Sequence, residues 1–307
     1  MFKTTLAALV LGATALTSTA AFAQDDWRAQ MGSFNIGILG GENEADRLRR
    51  NECYGELISE VLGVPVQLFP AADYAGVMQG LLAGQLHMAG LGAASYAGIY
   101  LQDPDAVEPV LTRAQLDGTL GYYAVMVVRS DSDIQSLEDM QGRSLAYADP
   151  NSTSGYLVPR GQLALQGIND EEYFGTTGFG GGHEQAVVAV LNEQYDAAVT
   201  WISGQGDFSD GFSRGNLRRM VDNGLLDMND IRIVWTSDII PNGPTVFRQD
   251  LPEEARALMM EFLLSMQAEH PECYALAAGG DDGGFVEIDH AFYESTIALR
   301  EVMTEAR

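Results

Sequence analysis

Residues 33–92 constrain the fold more than any other stretch of the chain. A strand-like segment, "SFNIGIL", is followed by a helical segment from about Glu44 to Leu62 and a second strand, "VPVQLF". From Tyr74 the apolar residues Val77, Met78, Leu81 and Leu82 fall at helical spacing behind Asp73, a natural N-cap, and "LHMAGLG" reads as a buried strand ending in glycines. Neighbouring parallel strands need a crossover long enough to hold a helix, and helices so placed must cover the faces of the sheet. The stretch is therefore predicted to build an α/β unit.

The pattern restarts after the β-rich segment "GYYAVMVVR". A helical turn near "SLEDM", the strand "RSLAYA", a helix after Ser154, the strand around "YFGTTGF", a helix at 183–192 and the strand "YDAAVTW" follow in turn. Ala186, Val187, Val190 and Leu191 lie on one side of that second helix. A further strand, "IRIVWTS", precedes "DIIPNGPTVFR". The chain then carries a helix with Ala255, Leu258, Met259, Phe262, Leu263 and Met266 on one stripe, and another from about Asp289. Two α/β units of similar size, the second inserted within the first, fit this order. About 280 residues beyond the first 23 exceed what one core usually serves.

Residues 1–23 read as a signal peptide with cleavage after Ala23: Lys3 stands before an apolar run from about Leu6 to Leu16, and Ala21 and Ala23 flank Phe22. That run is too short to span a bilayer, and the expected destination is the periplasm. With 17 Lys and Arg against 43 Asp and Glu, the formal charge of −26 repels nucleic acid and anionic lipid. An anionic ligand must then be held by local donors. Cys53 and Cys273 are the only cysteines, and in an oxidising compartment they stand either as one disulfide or as two separate buried thiols.

The stretch "STSGY" is not the G-x-S-x-G elbow that a nucleophilic hydrolase would want, no arrangement assigns His183 a serine and an orienting acid, and His87, His183, His270 and His290 are scattered without H-E-x-x-H or paired-cysteine spacing. Neither a metal nor a cofactor is expected. "DDGGFVEID" reads as a solvated turn. "GFGGGHEQA" lacks a nucleotide fingerprint but places His183 at a helix start, as an anion donor or as a surface cap. Ser152, Thr153, Ser154 and Gly155 stand where a strand gives way to a helix. One hydroxyl suffices for a cap, and three beside a glycine suit an anion site. Pro159, inside that helix, is expected to clash with the carbonyl of residue 155 and bend the axis.

Together, "PAADYAGVMQGLLAGQLHMAGLG", "GYYAVMVVR", "DPNSTSGYLVPR", "GGHEQAVVAVLNEQYDAA" and "IPNGP" resemble, in order, the phosphonate-binding proteins of ABC transporters. The resemblance implies a type II periplasmic binding protein fold: two α/β lobes joined by two crossover strands, closing on ligand, with no enzymatic activity. It implies lobe 1 at 24–127 and 240–307 and lobe 2 at 128–239, with crossings near Val127 and Ile239. It assigns the phosphonate oxygens to Ser152, Thr153, Ser154 and His183, and the pocket walls to Tyr74 and Tyr122 from the opposite lobe. The partner it implies is a transporter permease, served by a monomer. Family members that take aminoalkyl phosphonates grip the ammonium with acidic residues. The aligned positions here are Ser203 and Gly243, so a phosphonate without an amine, phosphite or another small oxyanion is the expected ligand.

Overall fold

The structure, a computed structural model, describes residues 27–305. The expected signal peptide, residues 1–23, lies outside the described residues. In chain order α1 (Trp27–Met31), β1 (Phe34–Ile38), α2 (Glu44–Leu62), β2 (Val66–Pro70), α3 (Tyr74–Leu82), β3 (Met88–Gly90), α4 (Ala93–Tyr100) and β4 (Val107–Arg113) build most of one lobe. The other contains β5 (Gly121–Arg129), β6 (Ser144–Tyr147), α5 (Val158–Leu165), α6 (Asp170–Tyr173), β7 (Thr176–Phe179), α7 (His183–Leu191), β8 (Ala197–Ile202), α8 (Asn216–Asp222), β9 (Ile231–Thr236) and β10 (Ile240–Pro241). The chain then returns to the first lobe with β11 (Thr245–Arg248), α9 (Glu253–Glu269), α10 (Pro271–Ala278), β12 (Phe285–Glu287) and α11 (Glu294–Glu305).

Each lobe is a sheet between helical layers. The first sheet runs β12-β4-β11-β3-β1-β2, parallel where β1 meets β2 and β3 and antiparallel across β11, β4 and β12. The second runs β10-β5-β8-β6-β7, with β9 also on β5. In β5, Ala124, Met126 and Val128 pack on one side and Val125 and Val127 on the other. Both faces are covered, which is why its sequence is an unbroken apolar run.

The first crossing lies earlier than expected. β5 pairs with β8 from Tyr123 to Val128 and with β9 from Val125 to Arg129, so all of it belongs to the second sheet. The chain passes between lobes at residues 114–120, not near Val127, and returns just after β10, whose Ile240 pairs with Tyr122. A hydrophobic strand looks the same from sequence on either side of a crossing, and only its pairing partners assign it.

Cys53 of α2 and Cys273 of α10 form a disulfide with a Cα–Cα distance of 6.0 Å across a sequence separation of 220 residues. It ties the C-terminal return of the first lobe to its second helix. Replacing both cysteines by serine is expected to cost about 2–4 kcal/mol, measured as a fall in the denaturation midpoint that reducing agent reproduces in the wild-type protein.

Candidate functional site

The segment between β6 and α5 is built in three steps. Asp149 and Pro150 open a turn in which the Ser152 N–H donates to Asp149 O at 2.9 Å, the Pro occupying the position that its fixed φ favours. Ser152 Oγ then accepts from Gly155 N at 3.0 Å as an N-cap. A single π-helical turn follows over Thr153–Leu157, with Leu157 N donating five residues back to Ser152 O. Among the described residues nothing uses the N–H groups of Thr153 and Ser154, so the helix start keeps free donors and its partial positive charge.

Pro159 is accommodated rather than clashing. It sits in the first turn of α5, where no N–H is required of it, and the Gly155 carbonyl it was expected to meet accepts instead from Ala148 N at 2.9 Å. Gly155 itself has no room for a side chain: a Cβ there would stand 2.5 Å from Ala148 Cβ, 2.8 Å from His183 Cε1 and 2.8 Å from Ser152 Oγ.

The six candidate residues converge. Ser152, Thr153, Ser154, His183, Tyr74 and Tyr122 line one cavity of about 300 Å³, and all six are buried. His183, the first residue of α7, places Nε2 3.1 Å from Ser152 Oγ and is no surface cap. Burial pulls its pKa down to about 4 although Glu42 works the other way, so the ring is neutral at neutral pH. The Tyr74 hydroxyl lies beside Ser152, and that of Tyr122 beside Ser154 and Thr153. Burial raises the pKa of both phenols, which keeps them protonated donors.

Only Tyr74 comes from the first lobe. Because β5 belongs to the second sheet, Tyr122 stands in the same lobe as Ser152 and not opposite it. The lobes also touch directly here. Ala94 N donates to Thr153 Oγ1 at 2.9 Å, Ser95 Oγ to Asn151 O at 2.9 Å, and Tyr74 N to the Asp149 carboxylate at 3.4 Å.

Five arginines share the cavity wall: Arg47, Arg50, Arg113, Arg214 and Arg219. None was singled out from the sequence. Arg47, Arg50, Asn51 and Tyr54 follow the i, i+3, i+4, i+7 spacing of one face of α2, a polar stripe leading into the buried Ile58 and Leu62, and that signal was present in "RLRRNECY". Glu42 accepts from Arg50 in its own lobe and, at 2.5 Å, from Arg219 of α8 in the other. Burial works to raise Glu42, but the two guanidinium groups prevail and hold it down to about 2. The segment read as a solvated turn holds the buried Asp282, which accepts from the Tyr274 hydroxyl and from Gly284 N.

Neither position aligned with an ammonium-gripping acid offers one. Ser203 is buried outside the cavity wall, donates its N–H to Arg214 O at 2.8 Å, accepts from Arg214 N on its Oγ at 3.3 Å, and places that Oγ 2.8 Å from Ser213 Oγ. Gly243 lines the cavity, but a Cβ there would stand 1.9 Å from Leu91 O, so no acidic side chain fits this backbone. The one carboxylate in the wall, Glu42, is already claimed by two arginines.

The family model described as "ABC transporter, phosphonate, periplasmic substrate-binding protein" matches residues 36–293. The phosphonates-binding periplasmic protein of Escherichia coli K12 is 27% identical over 238 residues, which cover 76% of this chain and 66% of that protein. A phosphate-import protein of Mycolicibacterium smegmatis is 27% identical over 219 residues, 68% of this chain and 64% of that one. The chain thus spans about two thirds of the length of these curated relatives. Among solved structures, a binding protein component of an ABC phosphonate transporter from Pseudomonas aeruginosa has a TM-score of 0.75 at 26% identity, covering 89% of this chain and 86% of that one. A Prochlorococcus marinus protein in complex with methylphosphonate shares the fold with a TM-score of 0.73 at 17% identity, covering 89% of this chain and 98% of that one. The fold is that of a type II periplasmic binding protein, and the chain belongs to the family of periplasmic phosphonate substrate-binding proteins of ABC transporters.

Proposed function

We propose that this protein captures a phosphonate or related tetrahedral oxyanion between its lobes and delivers it, as a monomer in the periplasm, to an ABC transporter permease. The observation that carries the reading is the convergence of Ser152, Thr153, Ser154, His183, Tyr74 and Tyr122 on one arginine-walled cavity in a chain of charge −26. The hydroxyls of Ser152, Thr153 and Ser154 and the unused N–H groups of the helix start hold the oxygens, because charge-assisted hydrogen bonds from fixed donors satisfy a dianion without a reorganising solvent shell. Where His183 carries its proton on Nε2, it donates to Ser152 Oγ and leaves the Ser152 proton for the ligand. Tyr74 and Tyr122 close the pocket from the two lobes, and ligand contacts to both lobes favour the shut form over the open one.

A hydrolase reading is disfavoured by the same geometry. Ser152 and His183 resemble a nucleophile and its base, but among the described residues no carboxylate orients Nδ1 of His183. A ligand with an ammonium group is disfavoured as well, since five arginines face the cavity and its one glutamate is paired twice. Genomic pairing with a histidine kinase rather than with a permease and ATPase would instead favour a sensor input, and phosphate release from phosphonate or phosphoester would favour the enzyme.

A thermal-shift screen over methylphosphonate, phosphite, phosphate, sulfate, 2-aminoethylphosphonate and amino acids tests the reading. The cognate oxyanion at 100 times its dissociation constant should stabilise the protein by about 2.7 kcal/mol. Ser152→Ala should weaken that ligand at least tenfold, and tight binding of the aminoethyl compound alone would reverse the assignment.

His183 also sets a pH dependence. Between its folded value of about 4 and the ordinary 6.5, the unfolded chain binds the proton and the folded chain does not. Its contribution is therefore complete above 6.5 and is lost as pH falls toward 4, by at most about 1.4 kcal/mol per unit. Glu42, held at about 2, gives up its own contribution only below 4.5. From pH 5 to 6.5 the urea midpoint of wild type should fall on acidification more steeply than that of His183→Gln; parallel curves would contradict a buried neutral imidazole.

A further inference from the structure

The cavity is larger than a compact oxyanion needs. Its volume of about 300 Å³ equals roughly ten waters at ~30 Å³ each. Beyond the hydroxyl cluster it contains a second set of donors. Trp201 links the two: its ring meets Tyr122 edge-on at 5.4 Å, and the Arg214 guanidinium stands over it at 5.5 Å.

Arg113, at the end of β4 in the first lobe, and Arg214, in the second, both face Asp282, at 3.7 and 3.9 Å. Both distances lie beyond a hydrogen bond, so one carboxylate stands between two cations without bonding either. Nε of Arg214 and Oδ2 of Asp282 are buried with no hydrogen-bond partner among the described residues. The arginines are nonetheless held in place. Arg113 packs over Phe285 at 5.0 Å and Tyr274 at 5.4 Å, and Asn242 accepts from Arg214 at 3.2 Å while donating to the Arg113 carbonyl at 2.7 Å. Burial first and the charge of Arg113 next draw the Arg214 pKa down to about 10, as befits a cation short of counter-charge. A positioned pair of guanidinium groups, one from each lobe, with one positive charge in excess of Asp282, matches a planar carboxylate brought by the ligand.

We propose that the ligand is a phosphonocarboxylate: a phosphonate head at Ser152–Ser154 and, on a short alkyl arm, a carboxylate gripped between Arg113 and Arg214. This inference rests on the reading of the hydroxyl cluster as the phosphonate grip. The arm spans the cavity along Trp201, and its carboxylate adds a second contact to both lobes that only the closed form offers.

Calorimetry with three compounds of matched head and differing tail separates the possibilities: 3-phosphonopropionate, propylphosphonate and 2-aminoethylphosphonate. The expected order of affinity is anionic tail, then neutral, then cationic, with at least tenfold between the first two. Arg214→Gln, and independently Arg113→Gln, should bring the ratio of 3-phosphonopropionate to propylphosphonate affinity close to one, with folding of each variant checked by its melting curve. Equal or weaker binding of 3-phosphonopropionate to the wild type, or a ratio that survives both substitutions, overturns the proposal while propylphosphonate binding leaves the phosphonate grip standing. Failure of all three compounds to bind removes the phosphonate grip and this proposal together.

Discussion

Where the chain keeps its positive charge governs the rest of the molecule. Its 16 arginines and one lysine face 43 acidic residues, yet five of those arginines line one cavity between the lobes. Guanidinium groups brought together out of water repel one another and lose hydration, so the arrangement persists only where geometry or counter-charge compensates. Glu42 supplies part of it by accepting from Arg50 and Arg219 across the cleft. Asp282 supplies another part at a distance. What remains is a cavity walled by five arginines and one glutamate inside a protein whose overall field repels anions, so under the proposed function the anion is held by the site and not by long-range steering.

The backbone around the hydroxyl cluster shows how the scaffold serves that site. Gly155 lets the helix start press against Ala148 and His183, and the π-helical turn frees the Gly155 carbonyl to bond back to the strand. Pro159 then falls where a missing N–H costs nothing. Strand end, helix start and imidazole are thereby locked into one unit. Asn242 does the corresponding work at the crossings, bonding to Arg113 and Arg214 at once while Thr112 and Tyr293 donate to its carbonyl. Its position beside both crossings makes the tail end of the cavity sensitive to how the lobes are set.

Much of this was legible in the sequence. α2 begins and ends at the predicted Glu44 and Leu62, Asp73 caps α3, and the stripe on α9 faces the core, because each of these signals is local. The six candidate residues meet in one cavity. Several elements were not read from the sequence, among them β4, α8 and α10; two more lack local contrast, since α4 is buried on nearly every side and so has no amphipathic stripe, and β12 is three residues long. The crossing was placed too late, and Tyr122 with it, because strand membership is decided by long-range pairing. The arginines of α2 left a visible stripe, whereas Arg113, Arg214 and Arg219 come from three separate segments and Asp282 from a glycine-rich loop. Only the folded chain brings them together.

The most direct measurement is a crystal structure of the protein with methylphosphonate, refined to place the phosphorus. The account expects the phosphonate oxygens within about 3.2 Å of Ser152 Oγ, the Thr153 and Ser154 N–H groups and the Tyr74 hydroxyl, with both lobes in contact. A phosphonate found elsewhere, with the Ser152–Ser154 turn facing bulk water, would contradict it.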